Sequence, residues 1–440
     1  MSTPRTLTND ISNHIGETIT IKGWLHKKRL MGGLNFITLR DRNGVAQTLI
    51  DDKDELEKLR GLQIGTVLAL TGVVTADERA PGGAELHDVS VEVMVPVTDE
   101  PPIEIDKPIN HKSENLDNLF EYRVLNIRNL QEQKIFKIRT SIVRAMRTYL
   151  ERNEFMEIDT PKLLAEATEG GAEVFKLDYF GKTATLAQSP QFYKQIMVGA
   201  FERVFEIGHS YRAEPSATTR HLTELTMLDI EMGFVESHQE VMDMVGNMVR
   251  EVLTTIYEKH ADDLKSLQAP QLFLAEDGSI PRFTVAEIHK MYSKANKVDT
   301  TNEKDLIPDE ERWIADYARK NLNSDLVYAT DFPAVAGKFY HKFKDEEGTV
   351  AWADLLFRGL EIATVPLREN NYEKMLMQME RAGLDVTHEG FKHYLQAFKY
   401  GLPVHGGAGM GVDRVVQKTI GLSNVKEATL FPRDINRLNP

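Results

Sequence analysis

Three stretches gather side chains able to hold a charged ligand. In "SYRAEPSATTRHLTE" (residues 210–224), Arg212, Glu214, Arg220, His221 and Glu224 surround a Pro-Ser-Ala-Thr-Thr turn. The flanking segments 201–207 and 225–234 alternate apolar and polar residues, which predicts two half-buried strands joined as a hairpin. A hairpin tip needs only solvation, so this many anion-gripping groups point to chemistry. In "HGGAGMGVDRVVQKTIG" (405–421) a glycine-rich strand runs through Asp413 and Arg414 into an apolar helix. Glycine lets backbone approach a ligand closely, and the arginine sits where the helix begins. Arg212 and Arg414 thus offer two planar guanidinium forks, which suit phosphate oxygens better than lysine does. In "WADLLFRGLEI" (352–362), Asp354 and Glu361 are seven residues apart. On one continuous strand that odd spacing sends them to opposite faces, so a shared site demands a bend or bulge at Arg358-Gly359. Hard oxygen ligands beside bound phosphates are the usual Mg²⁺ arrangement. Taken singly, plain packing is the commoner explanation of the glycines, and a surface pair the commoner explanation of the carboxylates.

These segments need a scaffold, and composition bounds it. The 440 residues suffice for two or three domains, and 41% hydrophobic with 27% charged residues is ordinary for a globular chain. Cysteine is absent, which excludes disulfides, thiolate zinc sites and cysteine nucleophiles. With no apolar run of about 18 residues and a polar beginning, the sequence predicts a cytoplasmic protein with no membrane partner. The net charge of −14 argues against a generic nucleic-acid coat but leaves room for a local basic surface. Residues 18–98 read as five short strands and one helix, a pattern that suits an OB-type barrel or another small β-barrel. Prolines and charges from 99 to 118 mark a linker. Ile135, Ile138, Ile142, Met146 and Tyr149 then recur at helical spacing. The remainder mixes strands and helices without βαβ regularity, so the expected class is α+β with an antiparallel sheet. The expected domains are 1–104 (barrel), 105–130 (hinge) and 131–440 (main body, with a helical insertion at about 261–323).

Taken together, "FMEIDTPKLL" (155–164), "YRAEPSATTRHLTELTMLDIEMGF" (211–234) and "GGAGMGVDR" (406–414) resemble motifs 1, 2 and 3 of the class II aminoacyl-tRNA synthetases, in the right order. "ATEGGAEVF" (167–175), "QSPQFYKQIM" (188–197) and the ending "LFPRDINRLNP" are similar to the aspartyl-tRNA synthetases of the short archaeal and eukaryotic type. The resemblance spans essentially the whole chain and implies a five-stranded OB-fold anticodon-binding barrel followed by an antiparallel-sheet catalytic domain with flanking helices.

The resemblance also implies roles. Arg212 would grip the α-phosphate of ATP, a substrate, while Ala213, Glu214, Arg220, His221 and Leu222 contact the nucleotide. Arg414 would take the far end of a bent triphosphate beside Gly411, Val412 and Asp413. Asp354, Glu361 and Thr364 would hold Mg²⁺. For the amino acid, Lys194 and Arg368 match the ligands of the side-chain carboxylate, and Asp229 the group that receives the ammonium. Gln191, Phe192, Tyr193, Arg212 and Thr364 would complete that pocket, and Glu169 would close over it on the Gly170-Gly171 hinge. In the barrel, Phe36 would stack the central anticodon base, with Gln47 and Glu85 reading its edge. A core position is the other reading of Phe36. His26, in the basic run His26–Arg29, stands where the family tolerates both aspartate and asparagine anticodons. The implied partners are L-aspartate, tRNA(Asp), with tRNA(Asn) left open, and a second copy of the chain joined through motif 1.

Two departures from the family pattern stand out. "IATVPL" (362–367) replaces a Ser-Ser-Gly-Gly-Gln type segment, so Val365, Pro366 and Leu367 are expected to alter the pocket wall. "AVAGKFY" (334–340) lacks the usual basic-Pro pair. An asparagine–tRNA ligase and a synthetase-like binding protein without catalysis remain the alternatives. Asp229 and the "FPRD" ending speak against the first, and Arg212, Glu214, Glu361 and Arg414 against the second.

Overall fold

A computed structural model describes residues 5–30, 32–109, 115–165, 173–215, 218–344 and 348–439, which form two compact units, 1–133 and 134–440.

In the first unit, β1 (Arg5–Thr6), β2 (Thr18–Leu30), β3 (Asn35–Arg40), β4 (Val45–Ile50), β5 (Val67–Ala76) and β6 (Ala84–Val95) run in the order β1-β2-β3-β4-β6-β5. The antiparallel pairing of β2 with β5 closes five of them into an OB-fold barrel, and the two-residue β1 adds to β2 from outside. Burial alternates along β3 up to Leu39: Ile37 and Leu39 are fully buried in the barrel core, while Phe36 and Thr38 are half-buried on the other face. The helix α1 (Lys53–Arg60) begins where Asp52 accepts two hydrogen bonds from the backbone of Asp54 and Glu55. The short helices α2 (Leu116–Glu121) and α3 (Arg123–Asn126) follow.

The second unit takes in most of the motif 1 helix, α4 (Leu130–Arg152), whose predicted stripe is buried throughout. Next come β7 (Met156–Glu157), β8 (Leu163–Leu164), β9 (Lys176–Tyr179), β10 (Lys182–Leu186), α5 (Gln191–Phe201), β11 (Arg203–Tyr211), β12 (Glu224–Gly233), α6 (His238–Lys259) and α7 (Ala261–Ser266). The chain continues with β13 (Arg282–Thr284), α8 (Val285–Asn296), α9 (Pro308–Leu322), β14 (Leu326–Pro333), β15 (Phe343–Lys344), β16 (Thr349–Phe357) and β17 (Glu361–Pro366). The helices α10 (Tyr372–Arg381) and α11 (Lys392–Lys399), the strand β18 (His405–Gly411) and the helix α12 (Val412–Ile420) complete it. The large sheet runs β13-β14-β16-β17-β18-β12-β11-β7, with β15 paired to β16 and only the edge pairs parallel. Buried residues of α4, α6 and α12 pack with those of the central strands into one core. The stretch 261–323 is mostly helical, but β13 joins the sheet edge beside β14 instead of merely decorating the body.

The bend demanded between Asp354 and Glu361 is a hairpin turn. Arg358 and Gly359 both take positive φ (50° and 73°), and Arg358 is held there by Asp325 through two hydrogen bonds of 3.0 and 2.7 Å.

Candidate active site

Register decides what the sheet brings together. Asp354 pairs with Thr364, Thr364 with Gly409, Gly409 with Asp229, and Asp229 with Glu206, so one transverse row crosses β16, β17, β18, β12 and β11. Residues in such a row point to the same face. Adjacent strands lie about 4.8 Å apart, which sets Asp354 and Asp229 about 14 Å apart across three spacings. Gly409 in the middle leaves that distance open. Thr364, Gly409 and Asp229 of this row floor a cavity of about 560 Å³ lined also by residues of motifs 2 and 3.

At one end of the cavity lie the phosphate-gripping candidates. Arg414 donates to the carbonyl of Glu361 (2.9 Å) and to its Oε2 (3.2 Å), and the hydroxyl of Thr364 donates to Oε1 (2.9 Å). Burial pushes the Glu361 carboxyl up, but Arg414, Thr364 and Arg212 outweigh it and hold the group below its ordinary value. Asp354 is the opposite case. Burial first, and then the negative charge of Glu361, push it well above the carboxylate range, although the Trp352 indole donates to Oδ1 at 2.7 Å. Two carboxylates that cannot both ionise comfortably, beside a hydroxyl, fit a divalent cation that would remove their repulsion. Among the described residues no three His, Asp or Glu side chains form a complete metal cage, so phosphate oxygens or water would have to finish the coordination.

Arg212 follows β11, with its guanidinium 3.8 Å from Glu214, and Glu214 is also 3.6 Å from His221. Arg220 donates to Glu311 of α9 at 2.9 Å. Burial raises the Glu311 carboxyl and the Arg220 charge opposes the shift. The insertion therefore reaches the site, through a residue the sequence reading did not select. Leu222 and Gly411 line the cavity, whereas the Val412 side chain lies in the core, which leaves it only backbone for a ligand. Asp413 borders the cavity, but its oxygens accept from the backbone of Thr226 (2.8 Å) and from Arg139 of α4 (3.1 Å), tying α12 to β12.

At the other end, Lys194 is 2% exposed and donates to Asp229 (2.8 Å) and to the carbonyl of Ala408 (3.1 Å), with Glu231 at 3.7 Å. Arg368 makes a two-pronged contact with Glu231, at 3.0 and 3.1 Å. Glu231 is wholly buried; burial alone would raise its carboxyl, but Arg368 and Lys194 bring it below its ordinary value. The sequence reading missed Glu231. Its only signal was an acidic residue two positions after Asp229 on the same strand face. Gly407 sits opposite it, and a Cβ there would fall 1.9 Å from the Ile230 carbonyl and 2.6 Å from Glu231 Oε2, so only glycine fits.

Two expectations about this pocket are corrected. Gln191 and Lys194 are three apart on α5 and share the cavity face, but Phe192 and Tyr193 are rotated away. Phe192 instead stacks on Tyr394 (4.2 Å between centroids) in a separate hydrophobic cluster. Likewise Val365 and Leu367 face the core side of the sheet; strand alternation turns Ile362, Thr364, Pro366 and Arg368 to the cavity. Of Val365, Pro366 and Leu367, Pro366 alone thus changes the wall, on the cavity it shares with His341 and Trp352. Glu169, with its Gly170-Gly171 hinge, lies outside the described residues.

On the barrel, Phe36, Thr38, Gln47 and Glu85 occupy one face. Thr38 pairs with Gln47 and Gln47 with Glu85. Gln47 donates to Glu85 at 2.7 Å, and His87 contacts the other Glu85 oxygen at 2.9 Å. The Gln47 amide oxygen is thereby turned outward. Phe36 is not part of the core. His26 falls at a bulge in β2, and burial, then Arg40, lower its pKa.

Comparison with known proteins agrees with this layout. Residues 115–435 match the tRNA synthetases class II (D, K and N), and residues 19–96 the OB-fold nucleic acid binding domain. The aspartate–tRNA(Asp/Asn) ligase of Thermus thermophilus is 38% identical over 99% of this chain and 100% of its own length. The aspartate–tRNA(Asp) ligase of Pyrococcus abyssi is 36% identical over 97% of both. Among solved structures, asparaginyl-tRNA synthetase of Pyrococcus horikoshii with asparaginyl-adenylate superposes with a TM-score of 0.91 at 28% identity, covering 99% of this chain and 100% of that one. Aspartyl-tRNA synthetase of Entamoeba histolytica gives 0.86 at 26% identity, over 100% and 93%. With motifs 2 and 3 on one cavity and the family match running over residues 115–435, the chain belongs to the class II tRNA synthetases of the D, K and N group.

Proposed function

We propose that this ligase activates L-aspartate with ATP and transfers it to the 3′ end of tRNA(Asp). The observation that carries the proposal is the buried Lys194–Asp229–Glu231–Arg368 constellation at the end of the cavity opposite Glu361 and Arg414. Lys194 and Arg368 present donors to a side-chain carboxylate. An amide in its place would turn at least one N–H toward them, which supports aspartate over its near-isostere asparagine. Asp229 would receive the ammonium.

In the first half-reaction the aspartate α-carboxylate attacks the α-phosphorus and pyrophosphate leaves. Arg212 stabilises the charge that grows on the α-phosphate, while Arg414 holds the far phosphates. In the second, the terminal ribose 3′-hydroxyl of tRNA attacks the activated carbonyl and AMP departs. Catalysis is positioning plus charge neutralisation, with no covalent nucleophile from the protein. Asp354, Glu361 and Thr364 are the groups that would hold Mg²⁺, whose chemistry is to neutralise phosphate charge.

Phe36, Gln47 and Glu85 would read the central anticodon base, and His26, with the Asp/Asn ligases among the relatives, supports tRNA(Asn) as a second substrate. A two-fold homodimer is proposed through the motif 1 segment, where Met156 and Leu163 are each 49% exposed. No helix among the described residues is long and apolar enough to cross a membrane, in keeping with a cytoplasmic location.

Amino-acid-dependent ATP–pyrophosphate exchange tests the reading. Aspartate-driven exchange supports it, asparagine-driven exchange replaces it with an asparagine ligase, and no exchange refutes catalysis. Charging of purified tRNA(Asp) and tRNA(Asn) side by side then fixes the tRNA range.

A further inference from the structure

Behind the amino-acid end of the cavity, four buried side chains form one hydrogen-bonded network in which Gln195 joins His405 on one side to Gln191 and Tyr394 on the other. None is more than 3% exposed. Its polarity can be worked out from one end. The Pro403 carbonyl can only accept, so His405 Nδ1, 2.8 Å away, carries the hydrogen. Burial is the largest influence on His405 and lowers its pKa, with Arg368 in the same direction and Glu231, the Pro403 carbonyl and Glu369 opposing. The net shift is downward, in favour of the neutral ring. Nε2 is therefore a lone pair, and Gln195, 2.8 Å away, must turn its NH₂ toward it. The Gln195 oxygen then faces the other way, where it accepts from Gln191 Nε2 (2.8 Å) and from the Tyr394 hydroxyl (3.0 Å). Gln191 has thus turned its own NH₂ inward. Its oxygen, with no protein partner among the described residues, is left for the cavity that Gln191 lines with Lys194 and Asp229.

We infer that Gln195, Tyr394 and His405 are positioning residues that fix the Gln191 amide with its oxygen toward the cavity, where it accepts from the α-ammonium of the bound amino acid. A flipped amide would aim N–H at the ammonium and replace an attraction with a clash of donors. A sequence reading assigns Gln191 to the pocket but cannot say which end of the amide faces it. That choice is set two side chains away, at a proline carbonyl.

The inference rests on the proposed amino-acid activation, and its test separates the two. Wild-type exchange first establishes the substrate. Aspartate and succinate, which is aspartate without its ammonium, are then compared as substrate and competitive inhibitor. In Gln195→Met the aspartate KM should rise roughly ten- to hundredfold, the worth of a hydrogen bond to a charged group, with kcat within about threefold and the succinate inhibition constant within about twofold. Gln195→Glu, which still accepts from Gln191, should keep the aspartate KM within about threefold. If Gln195→Met does not fold, His405→Phe frees the far end of the network and should raise the aspartate KM while sparing succinate. Equal weakening of aspartate and succinate, an unchanged aspartate KM, or a Gln195→Glu enzyme as impaired as Gln195→Met would each overturn the inference. Should wild type prefer asparagine, the same comparison with asparagine and succinamate decides it, because aspartate and asparagine share the ammonium.

Discussion

Lys194→Met separates recognition from folding. The ammonium is 2% exposed and holds Asp229 at 2.8 Å, the Ala408 carbonyl at 3.1 Å and Glu231 at 3.7 Å. Removing one partner of such a buried pair costs about 3–5 kcal/mol, because the other charge is stranded. The lower end applies here. Glu231 keeps Arg368, and Asp229, whose carboxyl burial already pushes up against the pull of Lys194, can take a proton. At about 2 °C per kcal/mol for a unit of this size, Tm should fall by about 6 °C. If Lys194 also grips the aspartate side chain, kcat/KM for aspartate in pyrophosphate exchange should drop about 10²–10³-fold, while ATP affinity measured by calorimetry stays within about threefold. Adding Asp229→Asn removes the stranded carboxylate, so the double variant should regain Tm without regaining activation. A single variant that loses Tm yet activates aspartate within about threefold of wild type would show that Lys194 only props the pocket, and the account of side-chain selection would fail.

Three further outcomes follow from the same geometry. Asp354 has a folded pKa raised above its ordinary value of 3.8, so its contribution to stability is complete below about pH 4 and is lost as pH rises through the raised value. Asp354→Asn should abolish that loss in metal-free thermal melts and also shrink the Mg²⁺-induced rise in Tm; an unchanged pH profile would contradict the placement of the strain there. Gly407→Ala should lower Tm and aspartate activation together, since its Cβ would collide with the Ile230 carbonyl and Glu231, and wild-type behaviour in both would refute the close approach. Phe36→Ala, on the outer face of β3, should leave pyrophosphate exchange intact while raising KM for tRNA roughly tenfold, the worth of a stacked base; equal losses in both reactions would instead mark Phe36 as structural.

What the sequence determined by itself was the inventory. The helical stripe of α4, the alternating strands of the barrel and the turn-rich hairpin are local patterns, each set by side chains a few positions apart, and they were legible for that reason. The residue types at Arg212, Glu361, Lys194 and Arg414 declared phosphate and carboxylate chemistry, and the odd Asp354–Glu361 spacing required the turn that Arg358 and Gly359 make. Tertiary structure alone decided partnership. The Asp354–Thr364–Gly409–Asp229 row comes from strands scattered over more than a hundred residues, and nothing local fixes that register. The helix phase that removes Phe192 and Tyr193 from the cavity and the pleat that turns Val365 and Leu367 to the core are set by which face of each element is buried. Glu231 and Glu311 became visible only as charges that answer arginines far away in the chain. Charge in a buried site has meaning through its neighbours within a few ångströms, and those neighbours are chosen by the fold.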